Sequence, residues 1–280
     1  MTPAHRALSA LATTSPEYGP ALTDHTAMAV EALERLAPEA IDAFVARYVP
    51  RLRPLADEPS EALAGFAGRV REERAALAQH ALTDVLSART LDVLGPSLAG
   101  AAFHGAIRVG HAVRALARDS SPVRLDELAR ALAYASSRDE RLPPALPADL
   151  PPLFLSEALA ILPSAPDALV HVPGLITGTL LARATAHPTL RAVAGRLRLD
   201  DDPAKAAAEL RRAAVHLFVE GESHPASLFT LLHGVTGMDA VCALVPHLRP
   251  EAARALVGAA GHALLAVRVG YVGRLAARAL

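Results

Sequence analysis

The apolar residues of this chain recur every three to four positions and nowhere alternate with polar ones over any length. That period restricts the chain to helices. His25, Met28, Ala29, Ala32, Leu33 and Leu36 fall at i, i+3, i+4, i+7, i+8 and i+11, one face of an amphipathic helix. Thr23 or Asp24 offers a capping oxygen at its start, and Pro38 ends it. Ile41, Phe44, Val45, Tyr48 and Leu52 repeat the spacing, with Pro50 and Pro54 closing the second helix. Further helical windows fall at about 60–88, 98–117, 125–135, 154–162, 174–185, 188–196, 203–219, 226–245 and 250–279. Residues 142–153, LPPALPADLPPL, hold five prolines and read as a loop or linker. The expectation is an all-α fold: a single compact, bundle-like multi-helix domain over residues 1–280. Any lobes would be 18–141 and 154–280, joined by 142–153.

Composition narrows the partners. Hydrophobic residues make up 52% and charged residues 20%, the balance of a chain that forms a core. Lys and Arg (28) nearly cancel Asp and Glu (29), so there is no broad positive field for nucleic acid and no polybasic run for a membrane surface. The single cysteine, Cys242, excludes an internal disulfide framework and zinc sites built from several thiolates, which suits a reducing, cytoplasmic setting. The first residues, MTPAHRALSALATT, lack the long apolar centre of a signal peptide. The most apolar stretch, ALVGAAGHALLAVRVGYVG, is interrupted by His262 and Arg268 and reads as a buried helix rather than a membrane span.

The phosphate-loop, dinucleotide and nucleophile-elbow signatures and the His-Glu-x-x-His motif do not occur, and no local pattern supports a Ser-His-Asp triad. The informative residues are the 12 histidines. His25, His104, His216, His233 and His262 lie in apolar helical context. His5, His171, His187, His224 and His247 read as loop or surface residues, and His80 and His111 fit either.

A lone histidine on an apolar face is usually half-buried and satisfied by one partner. However, His25, His104, His233 and His262 sit on four separate helices, each on an apolar or small-residue face. Helices packed round one axis would turn these rings inward, as bundles do when they build metal sites. Neutral imidazoles suit iron, copper, zinc and nickel. His111 follows His104 by two helical turns, about 10 Å along the axis, too far to share one ion.

Arg108, one turn after His104, is placed to hold an oxyanion or to be a solvated charge. Tyr48 and Tyr134 are pocket hydroxyls on the same terms, and Cys242 reads as a small core residue. In FTLLHGVTGMDAV (229–241), Gly234 and Gly237 would admit a neighbouring helix or planar ligand beside His233. Thr236 would bond a helix carbonyl or orient the ring.

Four stretches in order, DHTAMAVEAL (24–33), AAFHGAIRVGHAV (101–113), FTLLHGVTGMDAV (229–241) and GHALLAV (261–267), resemble the motifs of the questin oxidase-like proteins. The resemblance runs from about residue 18 to 272, and His-Gly-Val-Thr-Gly is its most specific piece. It implies an all-α mononuclear non-haem iron oxygenase that acts with dioxygen on an anthraquinone-like aromatic polyketide. The implied Fe(II) ligands are His25, His104, His233 and His262; another divalent metal, or none, is the alternative. Arg108, Thr236 and Asp239 would be catalytic. Three positions depart from the family pattern: Leu265 replaces a lysine, Ala27 a proline, and Asp239 stands where a second histidine is common. An all-histidine site without the lysine leaves more open coordination positions, which water, dioxygen or a carboxylate (Asp239, Glu220 or Glu222) would fill. The competing expectations are a metal-independent cyclase, isomerase or oxygenase using histidine as acid and base, and a non-catalytic helical ligand-binding protein.

Overall fold

Proline sets where many of these helices begin. Its ring fixes φ near the helical value, and its missing N–H is no loss in the first turn, where that group has no helical partner. Pro3, Pro122, Pro188, Pro203, Pro225 and Pro250 each open an α-helix. The structure, a computed structural model, describes residues 1–19, 22–55, 63–147, 149–162, 176–220 and 225–271. Among these residues there are thirteen α-helices: α1 (Pro3–Leu11), α2 (Thr26–Leu36), α3 (Ile41–Tyr48), α4 (Phe66–Gln79), α5 (Leu82–Arg89), α6 (His104–Arg118), α7 (Pro122–Ser137), α8 (Leu155–Ile161), α9 (Ile176–Ala186), α10 (Pro188–Arg196), α11 (Pro203–Glu220), α12 (Pro225–Leu244) and α13 (Pro250–Tyr271). Among the described residues there are four two-residue strands and one isolated bridge, between Thr14 and Pro54. β1 (Glu17–Tyr18) pairs antiparallel with β2 (Leu22–Thr23), and β3 (Leu153–Phe154) pairs parallel with β4 (Leu197–Arg198). The fold is all-α.

The centre of the molecule is α6, packed against α7 on one side and α12 on the other, with α11 and α13 flanking α12. Small residues set how closely these helices approach. A Cβ on Gly110 would lie 3.0 Å from the Ala240 Cβ of α12, and one on Gly105 would lie 3.1 Å from the Ala135 Cβ of α7. A Cβ on Gly237 would meet the Phe103 ring at 2.7 Å, whereas one on Gly234 would find only Val267 at an ordinary 3.8 Å. Gly237 is therefore required by packing, and Gly234 is not. α12 and α13 are both long and apolar enough to cross a membrane by length and composition, and 56% and 72% of their apolar windows are buried inside this protein.

Three local differences from the sequence expectation have clear causes. The N-terminal piece forms a helix of its own, α1, because Thr2 caps it and Ala4, Ala7, Leu8 and Leu11 make a buried stripe. The window 60–88 is two helices, α4 and α5, broken where His80 and Ala81 are extended. The window 98–117 becomes a right-handed α-helix only at His104. Ala101 (φ 44), Ala102 (φ 54) and Phe103 (φ 69) are all left-handed, and their turn leads directly into α6. The last residues of the 250–279 window, 272–279, lie outside the described residues.

Left-handed backbone costs an L-residue roughly 1–2 kcal/mol. Replacing Ala101 or Ala102 singly with glycine is therefore expected to raise the unfolding free energy by about 0.5–1 kcal/mol, after the added freedom of the unfolded chain is deducted. Ala112→Gly, within right-handed α6, should lower it by about 1 kcal/mol. Denaturant titration of the three variants checks the opposed signs.

Candidate metal centre

Each of three histidines is presented by a different kind of local structure. His25 precedes α2, with φ −96° and ψ 0°, in the sparsely populated bridge region where many active-site residues sit. Next to it, the Asp24 carboxylate accepts the Thr26 N–H (2.8 Å) and hydroxyl (2.5 Å) and so caps the helix. His104 is the first residue of α6, set by the left-handed turn. His233 lies inside α12, where its ring donates Nδ1–H to the Phe229 carbonyl at 2.6 Å.

The rings meet edge to face. His25 and His104 have centroids 4.7 Å apart, and His104 and His233 have centroids 4.8 Å apart. One nitrogen from each ring lies within 4.8 Å of the other two. His104 and His233 are buried and His25 is exposed, so the cluster opens to solvent on the His25 side. Phe229, itself 57% exposed, stands edge-on to His233 at 4.6 Å, giving the site an apolar rim.

Hydrogen bonding determines which nitrogens face inward. A backbone carbonyl only accepts, so Nδ1 of His104, 2.5 Å from the Ala101 oxygen, carries a proton, as does Nδ1 of His233. In the neutral rings both Nε2 atoms then carry lone pairs. Nε2 of His25 lies 2.9 Å from Nε2 of His104, a hydrogen bond in which His25 is the donor when its proton is on Nε2. A contact of this length holds either one proton or a metal cation between the two nitrogens. In His104 and His233 one ring N–H is tied to a carbonyl and the other nitrogen is free to ligate, the arrangement that metal-ligating histidines adopt. Three neutral imidazoles suit a borderline divalent ion.

The surroundings hold the rings neutral. Burial, then the neighbouring His233 and His25, push His104 down to about 3. Burial also lowers His233 and His25. Behind His25, the Thr23 hydroxyl meets the Tyr134 hydroxyl at 2.8 Å. Tyr134 in turn donates to Glu17 at 3.0 Å, and Arg138 Nε donates to the same carboxylate at 2.7 Å. This buried chain anchors β2, two residues before His25.

The other residues singled out from sequence are not members of the cluster, although the charge of Arg108 reaches His25 and helps to lower its pKa. His262 is not in the cluster: its helix, α13, packs there against α10, and its charged neighbour is Arg191. Arg108 is wholly buried and donates to Glu127 at 2.8 Å. Its Nη1 has no hydrogen-bond partner. Thr236 is exposed and returns its hydroxyl to the Leu232 carbonyl at 3.1 Å. Asp239 is half exposed and bridges Arg114 and Arg211, each at 3.1 Å. His111 is paired with Glu31 at 2.8 Å. Leu265 is a buried core residue, and Glu220 is exposed. His171, His224 and Glu222 lie outside the described residues. His5, Asp119 and Ser121 do meet, but Nε2 of His5 faces both Asp119 (2.6 Å) and Ser121 (3.2 Å). A nucleophilic triad needs the two partners on opposite ring nitrogens.

Fold and site together define an all-α protein with a three-histidine cluster that could hold a metal ion. No family model, no curated protein and no solved structure matches the chain.

The depressed histidine pKa values carry a pH dependence. The unfolded chain takes up protons near 6.5, while folded His104 resists them until about 3. The burden is absent above 6.5 and grows as the pH falls through that window. Denaturation midpoints measured across it should fall with acid, and His104→Gln should flatten the slope.

Proposed function

We propose that this chain is a mononuclear non-haem iron oxygenase, with Fe(II) held by His25, His104 and His233, acting with dioxygen on an aromatic polyketide-type substrate. The observation that carries the reading is the 2.9 Å approach of the His25 and His104 Nε2 atoms, with Nδ1 of His104 and of His233 tied to backbone carbonyls. The motif order shared with the questin oxidase-like proteins supports iron and an aromatic substrate.

Bound Fe(II) would supply the redox chemistry with dioxygen. The chain's own residues bind and orient. The Ala101 and Phe229 carbonyls hold His104 and His233 in the tautomer that offers Nε2. Burial keeps those rings unprotonated at neutral pH, so they remain ligands. Exposed Phe229 and Leu232, on the α12 face beside His233, offer apolar surface to a planar substrate. With Leu265 in place of a lysine, three protein ligands leave open positions for dioxygen and a substrate oxygen.

A second reading rests on the same 2.9 Å contact, which equally suits one shared proton. The pair would then act as a metal-free acid and base on a phenol.

Protein prepared anaerobically with Fe(II) is expected to retain about one iron per chain by elemental analysis. His104→Ala and His233→Ala should each abolish retention, and His262→Ala should not. Failure of wild-type protein to take up metal, or equal uptake by the His104→Ala/His233→Ala double variant, overturns the iron reading. Turnover that survives chelation favours the metal-free one.

A further inference from the structure

We propose that Thr177, assisted by Glu140, is a positioning residue for the metal centre and acts on His104 through a single peptide unit. The inference rests on the three-histidine reading and adds to it residues that touch none of the three rings.

The left-handed turn before α6 is where the chain departs most from its own preferences. Three consecutive residues with a Cβ hold positive φ, a conformation that persists only where the surroundings impose it. The imposing contacts come from distant segments. The Ala101 N–H donates to Oε2 of Glu140 at 2.8 Å, and the Ala102 N–H donates to Oγ1 of Thr177, also at 2.8 Å. Thr177 is buried at the start of α9, a helix that packs on this turn. Phe103 is seated against Gly237 of α12.

The Ala102 N–H and the Ala101 carbonyl are the two ends of one planar peptide unit. Thr177 holds the N–H end. The carbonyl end receives both the backbone N–H of His104 and its Nδ1–H. Rotating that peptide breaks both connections together. Thr177 therefore fixes the tautomer and aim of the His104 ring, the central ring of the cluster, from the far side of the peptide. Glu140 does the same, one peptide earlier, for the turn as a whole.

The test compares Thr177→Val, which loses the accepting oxygen at nearly constant volume, with Thr177→Ser, which keeps it. Metal affinity is read by titration with Co(II), whose absorption reports ligand geometry. The His104 Nδ1–H is read by NMR. Val is expected to weaken Co(II) binding about tenfold or more, the size of effect typical of groups that orient metal ligands. It should also alter the Co(II) spectrum and speed exchange of the Nδ1–H, while Ser restores all three. A Val variant that melts lower but binds Co(II) like the wild type, with the same spectrum and ring signal, overturns the inference. If Val does not fold, Glu140→Ala against Glu140→Gln is read by the same criteria. If wild-type protein binds no Co(II), the metal reading fails. The Nδ1–H signal then decides the positioning role by itself, supported if Val loses it and overturned if Val keeps it.

Discussion

The crossing of α6 and α12 governs the rest of this structure. Gly110 lies against Ala240 and Phe103 lies against Gly237, and at both places a further Cβ would come within 3.0 Å of its neighbour. At ordinary side-chain separation, helix axes pack 8–10 Å apart. Here small residues leave no room for a further Cβ between the two, and the contact puts the ring at the head of α6 beside the ring in the middle of α12. His104 and His233 meet because the backbones beneath them do.

The site is built against several local costs. A left-handed turn of alanines and phenylalanine is unfavourable, the bridge-region backbone at His25 is sparsely populated, and burying imidazoles in neutral form is unfavourable in acid. Each is tolerated because a larger structure imposes it: α9 and the Glu140 segment on the turn, the packed helices on the rings, and the Glu17–Tyr134–Thr23 chain on His25. Strain gathered at one point, with hydrogen bonds arriving from far along the chain, is how functional sites are usually held.

Individual residues show how far pattern reading reaches. His104 and His233 stand on apolar faces at buried positions, so a search for polar groups there finds them; His25 is exposed and sits just ahead of α2, although the apolar period places it on the helix face. His262 passes the same test, but α13 is buried on nearly every side. An apolar face on such a helix does not say which neighbour it meets, and this one meets α10. Asp239, six residues after His233, is turned away from the rings by the 3.6-residue period, toward the Arg114–Arg211 pair, and Thr236, one turn on from His233, returns its hydroxyl to its own helix. Thr177 and Glu140 carried no signal, since their importance comes from accepting main-chain protons of a turn that Ala-Ala-Phe gives no reason to expect.

The sequence by itself determined that this chain is helical, where most helices start and stop, and which histidines lie among apolar neighbours. Those properties follow from residues within one or two turns of each other: apolar period, proline at helix starts, and capping oxygens. Only the tertiary structure decided which histidines share a point, which nitrogen each turns toward it, and that the chain reverses its hand before His104. Those outcomes depend on contacts between residues far apart in the chain, such as Gly110 with Ala240 and Ala102 with Thr177. Local preference is silent about such contacts, and in the left-handed turn it is overruled by them.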